Sequence, residues 1–481
     1  MVAPQKNFSL IDELLAEQQQ LQTPVARFAR AAGGSDTARN SAPSVQLIPL
    51  TAPGPGEQYA FEVDLDACSG CKACVAACHS LNGLDEHETW RDTGLLVGGD
   101  ESHPFQQIVT TACHHCADPA CLHGCPVLAY EKDPLTGIVR HLDDQCIGCT
   151  YCVLKCPYDV PKYNPARGIV RKCDMCQSRL AHAEAPACAQ ACPTHAIRIV
   201  AVHTADLPAT FLPGAPEPGY TRPTTRYVTQ RRRPGNLRSA DADVLRPQPA
   251  HWPLGWMLVL TQVSIGLLAA ATARPGPSLR IISWGAAAIG LGASVLHLGQ
   301  PLKAWRCFLG LRRSWLSREI VVFAAYFILL SVLAMSRHSQ PALEAAALAA
   351  GAAGVFSSAM VYADTRRSAW RLGGTAGKFF GTALIAGLIP AWPAAAAVAL
   401  GAKLFFENAV ARETVATARL WRGPLRTVVR RRLLLGVSAA LALAAGLTTT
   451  GFFLFAAGEL AERYLFFRTV DAPKMPGLPA P

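Results

Sequence analysis

The chain is short of charge. Only 16% of its 481 residues are Asp, Glu, Lys or Arg, and the second half holds apolar runs long enough to cross a bilayer. It lacks a basic face interleaved with aromatic residues, so the formal net charge of +11 does not point to nucleic acid. The arginines instead flank the apolar runs, where they act as topology signals. Histidine is scarce where a haem would need it. Beyond residue 252 only His297 and His338 remain, too few for a pair of axial ligands on facing helices, and no haem is expected. Residues 1–31 lack a basic segment followed by an apolar one, and lack a twin-arginine pair, so no export signal is expected. The apolar runs also lack the repeated pair of broken helices with central charges that marks many transporters. No constellation able to activate a substrate stands out, which leaves substrate catalysis to some other polypeptide.

Cysteine, by contrast, is abundant in one stretch. Sixteen of the seventeen cysteines lie within residues 68–192, in four groups of four. The first is CSGCKACVAAC (Cys68, Cys71, Cys74, Cys78) and the second CHHCADPACLHGCP (Cys113, Cys116, Cys121, Cys125). The third is CIGCTYCVLKCP (Cys146, Cys149, Cys152, Cys156), and the fourth is CDMCQSRLAHAEAPACAQACP (Cys173, Cys176, Cys188, Cys192). Small disulfide folds do not carry a multi-span membrane region, and zinc knuckles do not usually give tight C-x2-C-x2-C-x3-C-P runs. Such runs wrap four-iron–four-sulfur clusters, and in two-cluster ferredoxins the fourth cysteine of each run serves the other cluster. The expected sets are therefore crossed. Cys113, Cys116, Cys121 and Cys156 form one set, and Cys146, Cys149, Cys152 and Cys125 its partner. The outer groups give Cys68, Cys71, Cys74 and Cys192, then Cys173, Cys176, Cys188 and Cys78. Pro126, Pro157 and Pro193 follow three of the fourth cysteines, whereas His79 follows Cys78. His114 and His115 are expected beside the clusters or at the surface, not as ligands.

The expected fold is α+β for a tandem ferredoxin-like domain of two two-cluster lobes, followed by an all-α membrane bundle of seven to eight helices. Residues 1–57 hold an amphipathic helix (Phe8, Ile11, Leu14, Leu15, Leu21) and a Gly/Pro-rich arm. That helix either packs on its own domain or docks a partner subunit. Residues 58–203 form the cluster domain, opened by a strand in YAFEVDLDAC and closed by AIRIV. Residues 204–251 read as a basic, Pro-rich linker, residues 252–468 as the membrane region, and residues 469–481 as a tail.

Apolar runs cover residues 254–273, 281–298, 320–336, 342–363, 379–392, 394–409 and 433–457. Taken as seven spans, they leave 23 Lys and Arg on the side of the cluster domain and 6 on the other. The positive-inside rule then places the cluster domain in the cytoplasm and the carboxyl terminus outside. Splitting 379–392 from 394–409 as a hairpin preserves this asymmetry. An eighth span stays open.

Within the membrane half, His297 and Glu319 sit at expected membrane boundaries on the domain side, where ionisable groups are costly. A histidine and a carboxylate at headgroup depth suit a quinone: one hydrogen-bonds a ring oxygen, the other takes a proton as electrons leave. Lys403 and Glu407, four apart, are expected to pair structurally, and Cys307 to be a small buried residue.

Residues 59–200 resemble the four-cluster iron–sulfur subunit of dimethyl sulfoxide reductase-type molybdoenzymes. The resemblance rests on CxHCxDPxC at 113–121, CIGCxYCxxxCPYDVPKYN at 146–164 and KCDMC at 172–176. Residues 252–468 resemble the membrane anchor subunit of the same enzymes, through HLGQPLKAW at 297–305, SWLSREI at 314–320 and GELxxRxLFF at 458–467. The resemblance implies a fusion of two subunits and a separate catalytic subunit carrying molybdopterin. It also implies exchange of electrons with menaquinone or ubiquinone around His297 and Glu319, in anaerobic or sulfur respiration. Topology favours the cytoplasm-facing sulfite dehydrogenase branch, with a sulfoxide reductase as competitor. A membrane transporter or sensor with an iron–sulfur domain is the alternative from another class; four clusters favour a wire over a sensor.

Overall fold

In the computed structural model, residues 46–478 are described apart from 87, 275, 276 and 337, together with residues 14 and 17. Met1–Leu47 form one unit and Ile48–Pro481 another. The helix expected over residues 8–21 lies outside the described residues except for Leu14 and Glu17, both helical and exposed.

The second unit begins with the small α+β domain. In chain order it has β1 (Glu57–Asp64), α1 (Ala73–Leu81), β2 (Asp92–Gly99), β3 (Pro104–Thr111), α2 (Ala120–Gly124), β4 (Tyr130–Lys132), β5 (Val139–His141) and α3 (Tyr151–Lys155). It continues with β6 (Lys162–Asn164), β7 (Ile169–Arg171), α4 (Gln177–Ala181), α5 (Ala187–Gln190) and β8 (Ile197–His203). In β1, Ala60, Phe61, Glu62 and Val63 are buried in succession, and antiparallel pairing with β8 sets Phe61 opposite Ile199 and Val63 opposite Ile197. First and last strands thus close the domain, as their patterning predicts. Cysteines of all four groups lie in or against two apolar cores, one around Phe61 and Ile197, the other around Val127 and Ile147.

The basic stretch 204–251 is bound to this domain. Its β9 (Arg226–Val228) runs parallel to β1, and its β10 (Arg238–Ser239) pairs with β2. Thr224 Oγ1 donates to the His114 carbonyl at 2.9 Å.

The membrane half contains α6 (Trp252–Ala273), α7 (Pro277–Val295), α8 (Trp315–Met335), α9 (Pro341–Ala363), α10 (Leu372–Leu388) and α11 (Pro393–Arg412). The short α12 (Val415–Arg422) precedes α13 (Arg426–Ala444) and α14 (Thr448–Arg468). Five of these helices, α6 to α9 and α11, are long and apolar enough to cross a membrane. The expected hairpin at Pro390–Pro393 is present: α10 ends at Leu388 and α11 starts on Pro393, a residue whose missing N–H costs nothing at a helix start.

The structure differs from the seven-span reading in one place. The apolar run 433–457 is two helices, because Gly446 takes the left-handed conformation (φ 77°) that ends helices at little cost. Each half is hard to see in the sequence. Arg430, Arg431 and Arg432 dilute the start of α13, and Glu459, Glu462 and Arg463 dilute the end of α14. The extra turn returns the chain to the side of the cluster domain. There the amide of Gln248 bonds the Arg468 carbonyl at 3.1 Å, and that of Leu95 bonds the Gly477 carbonyl at 3.2 Å. Lys474 pairs with Asp241. The carboxyl terminus is therefore on the cluster-domain side, not opposite to it. Arg463, Arg468 and Lys474 move with it, and the charge asymmetry grows. A reporter fused after residue 481 is expected to show the same sidedness as one placed in the cluster domain. Opposite signals would refute the eight-helix path.

Small residues let the bundle close. A Cβ on Gly266 of α6 would meet the Ala383 carbonyl oxygen of α10 at 2.2 Å, so the two backbones touch, as small residues permit in membrane bundles. The Ser264 hydroxyl donates to the Ser283 carbonyl at 2.7 Å and lies 2.7 Å from the Tyr326 hydroxyl, tying α6, α7 and α8.

Candidate functional site: a series of thiol quartets and its membrane end

Each cysteine loop turns back on itself. Lys72 and Thr150, which follow Cys71 and Cys149, hold positive φ values near 60°, as do Met175 and Cys176 itself. Such turns aim backbone N–H groups at sulfur: Ala129 N–H reaches Cys125 Sγ at 3.2 Å, Gly148 reaches Cys146 at 3.4 Å, and Met175 reaches Cys173 at 3.4 Å. Donors of this kind favour anionic sulfur and tune a cluster's potential.

The tertiary fold brings distant thiols together. Cys68, Cys71, Cys74 and Cys192 line one cavity, with Thr93 and Thr110. Cys113, Cys116, Cys121 and Cys156 line another, with His114, His115 and Lys172. Burial pushes the Cys78 thiol up to about 12, with Cys188 and Cys176 as neighbours. Burial likewise raises Cys173, whose neighbours are Cys113, Cys78 and Cys188. Cys125, Cys146 and Cys152 share one core, with Cys149 packed on it. Among the described residues, no three His, Cys, Asp or Glu side chains converge tightly enough for a single metal ion; the thiols surround cavities instead. The donor chemistry suits iron–sulfur clusters: thiols only, mostly buried, with N–H groups on sulfur.

Two buried cations sit between quartets, and spacing alone did not single them out. Arg91 is buried with Cys188, Cys74, Cys173 and Cys78 around it, bonds Thr110 Oγ1 at 3.3 Å and lies over Phe61. Among the described residues its Nε and Nη2 have no hydrogen-bond partner, and both face sulfur-rich surroundings. Lys172 lies between Cys113, Cys121 and Cys173 and bonds the Cys173 carbonyl at 2.8 Å. A fixed positive charge in a low-dielectric site offsets the charge of thiolate-bound clusters. Lys172 was visible only as the first letter of KCDMC; nothing in the sequence marked Arg91. His114 and His115 are both buried, which removes the surface alternative. Burial pushes His114 down to about 3, so it is neutral and shares a hydrogen bond with Thr225 Oγ1 at 2.9 Å. The neutral His115 accepts the Val139 N–H at 3.1 Å.

One quartet faces the membrane half. The turn through Gly148 meets the loop after α7 so closely that a Cβ on Gly148 would sit 2.9 Å from the Gly299 Cα. Gln300 N–H donates to the Ile147 carbonyl at 3.0 Å. Tyr151 OH donates to Val361 O at 2.8 Å, and Lys155 pairs with Asp364 at 2.7 Å. Cys307 is buried in the same core as Cys125, Cys146 and Cys152. At the other extreme Cys71 is exposed.

The two candidate quinone residues both lie near the start of α3. His297 lies 3.3 Å from Thr150 Oγ1. Burial lowers its pKa, opposed by a hydrogen bond to the Cys149 backbone. Its ring meets that of His251 edge-on, with centroids 5.2 Å apart. Burial, then His297 and Arg367, push His251 down to about 4. His251 lies just ahead of the first span, outside the apolar run, where no sequence pattern marks it. Glu319 is buried in α8 and accepts the Ser358 hydroxyl, and it lies near Tyr151. No hydrogen bond or ion pair joins His297 to Glu319 among the described residues. The Lys403–Glu407 pair is present at 2.6 Å, within a larger buried network that includes Arg432 and Glu459.

Comparison with known proteins agrees with this architecture. Residues 104–202 match the family described as "4Fe-4S dicluster domain", and residues 278–404 match "DMSO reductase anchor subunit". The protein is 37% identical over 148 residues to the B subunit of the anaerobic dimethyl sulfoxide reductase of Escherichia coli K12, covering 29% of this sequence and 72% of the relative. The B subunit of the Haemophilus influenzae enzyme of the same name is 37% identical over 150 residues, covering 29% and 73%. The "Formate dehydrogenase-O iron-sulfur subunit" of E. coli K12 is 34% identical over 163 residues, covering 29% and 52%. With its thiol quartets in one half and its multi-pass helical bundle in the other, the chain belongs to the dimethyl sulfoxide reductase family, as an electron-transferring iron–sulfur subunit fused to a membrane anchor subunit.

Proposed function

We propose that the chain carries electrons between the membrane quinone pool, ubiquinone or menaquinone, and a separate molybdopterin-containing catalytic subunit, through four 4Fe–4S clusters. The ligands are Cys68, Cys71, Cys74 and Cys192; Cys173, Cys176, Cys188 and Cys78; Cys113, Cys116, Cys121 and Cys156; and Cys146, Cys149, Cys152 and Cys125. When bound, the clusters supply one-electron steps. The observation that carries this reading is the placement of His297, which bonds Thr150 beside Cys149 at the loop leaving α7. A quinone ring held there has the last quartet on one side and the bilayer on the other. His297 hydrogen-bonds a ring oxygen, and Glu319 holds a proton that accompanies the electrons. His251 fixes the His297 ring.

The cluster domain faces the cytoplasm, on the strength of the lysine and arginine asymmetry. A cytoplasm-facing complex suits a sulfite dehydrogenase; the named relatives suit a sulfoxide reductase. Co-purification tests the partner: a molybdenum-containing polypeptide is expected to accompany the chain, and its absence with clusters intact would sink the proposal. For the quinone site, Glu319→Gln should slow cluster reduction by a quinol analogue about 100-fold, the scale of a lost proton-transfer group. All cluster signals should be retained. Unchanged stopped-flow kinetics would remove Glu319 from the site.

A further inference from the structure

The segment joining α7 to α8 has two dissimilar faces. A 3-10 helix runs over Pro301–Phe308. One face is pinned to the cluster domain: Lys303 Nζ and Arg306 Nη1 both donate to the Asp144 carbonyl, at 3.2 and 3.0 Å. Gly310 N–H donates to the Pro126 carbonyl at 2.8 Å, and Cys307, 5% exposed, packs with Cys125 and Cys146. The opposite face is bare. Leu302 is 93% exposed, Leu296 80%, Trp305 63% and Phe308 52%. Soluble surfaces rarely gather so many large apolar side chains in one short segment.

Position and charge identify what covers this face. Membrane-spanning helices leave both ends of the segment, α7 at Val295 and α8 at Trp315, so it begins and ends at the bilayer boundary. Arg312 and Arg313 are exposed beside it, and neither enters an ion pair among the described residues. Apolar side chains flanked by arginine, with Trp at the boundary, are the composition of elements that lie in the plane of an anionic lipid surface.

We infer that the segment around Leu302, Trp305 and Phe308 is a lipid-binding shelf: it lies in the headgroup–acyl boundary of the leaflet facing the cluster domain, takes anionic phospholipid, and holds the Cys125/Cys146/Cys149/Cys152 quartet at that depth. The shelf is a rigid spacer. Its lipid face sets its height, and its protein face carries the quartet through Asp144, Ile147 and Pro126. The quartet therefore meets a quinone headgroup without the quinone leaving the membrane. This last consequence rests on the proposed quinone reaction; the lipid contact itself does not.

A photo-crosslinking amino acid at Leu302 tests the shelf in the full complex, reconstituted in phosphatidylcholine vesicles with and without phosphatidylglycerol. Irradiation is expected to add the mass of one phospholipid to the chain, with phosphatidylglycerol enriched in the adduct over its share of the vesicle. Crosslinking to another polypeptide, to a second copy, or to nothing would overturn the shelf. An adduct without phosphatidylglycerol enrichment would overturn its anionic preference. In parallel, Leu302→Asp should slow quinol-driven cluster reduction at least about tenfold, with cluster content by visible absorption unchanged. If Leu302 crosslinks lipid but no quinol reduces the clusters of the unsubstituted chain, the quinone proposal fails and the shelf stands.

Discussion

Replacing Cys149 by serine is expected to cut the membrane off from the rest of the wire. Quinol-driven reduction of the remaining clusters should fall by more than about 100-fold, beyond what a lost outer-shell partner costs a metal site. Dithionite should still reduce those clusters. The reason is geometric. The loop of Cys146, Cys149 and Cys152 is where the cluster domain touches the membrane half, through Ile147, Thr150 and Tyr151. The other quartets follow in sequence behind it, linked by Tyr130, which neighbours Cys152 and Cys121, by Lys172 between Cys121 and Cys173, and by Arg91 between Cys173 and Cys74. Cys71→Ser is the control. Cys71 is exposed at the far end, so its loss should remove one cluster signal and leave quinol-driven reduction of the others intact. Electron paramagnetic resonance with stopped-flow reduction reads both variants. Equal effects from the two would contradict the linear order.

The second large effect lies inside the bundle. Glu459 is fully buried and accepts Lys403 Nζ at 2.7 Å, Arg432 Nη2 at 2.8 Å and Thr382 Oγ1 at 2.6 Å. Arg432 also holds Glu407 at 2.8 Å. Lys378 pairs with Glu462 at 3.3 Å, and Arg463 pairs with Glu462 and bonds Gln262 Oε1 at 2.7 Å. Groups from α6, α10, α11, α13 and α14 therefore meet in one ionic core. Removing one partner of a buried pair leaves an uncompensated charge, at a cost of about 3–5 kcal/mol. Glu459→Leu leaves Lys403 and Arg432 to share Glu407 alone, one buried positive charge in excess, and should destabilise the bundle by that amount, read as a lower thermal midpoint in detergent or as loss of folded protein. Arg198→Ala provides the contrast. It breaks a pair with Glu62 in which the arginine is about half exposed, and the cost should stay under about 1 kcal/mol. A Glu459 variant as stable as the Arg198 variant would refute the ionic core.

Much of this molecule was legible in residue order because the features are local. A C-x2-C-x2-C turn is written in a dozen residues, so iron–sulfur chemistry follows from spacing. The strands at residues 57–64 and 197–203 show as alternation, and long apolar runs show as helices. Locality also explains the failures. The run 433–457 hides a turn, since alanine, leucine and glycine read the same on either side of Gly446 when hydropathy alone is counted. The Lys403–Glu407 pair was visible as an i,i+4 spacing, whereas Glu459 and Arg432, which complete it, come from other helices.

The sequence by itself determined the thiol groups, the fusion of a cluster half to a membrane half, and the charge asymmetry across the bundle. Each depends on composition and short-range spacing, which chain geometry and the bilayer translate directly into structure. Only the tertiary structure decided which quartet meets the membrane, on which side the chain ends, and what surrounds His297. Those outcomes rest on contacts between residues far apart in the chain: Gly168 against Gly299, Leu95 against Gly477, His251 against His297. Close approach of two backbones or two rings across such distances is set by packing of the whole chain, and no local pattern encodes it.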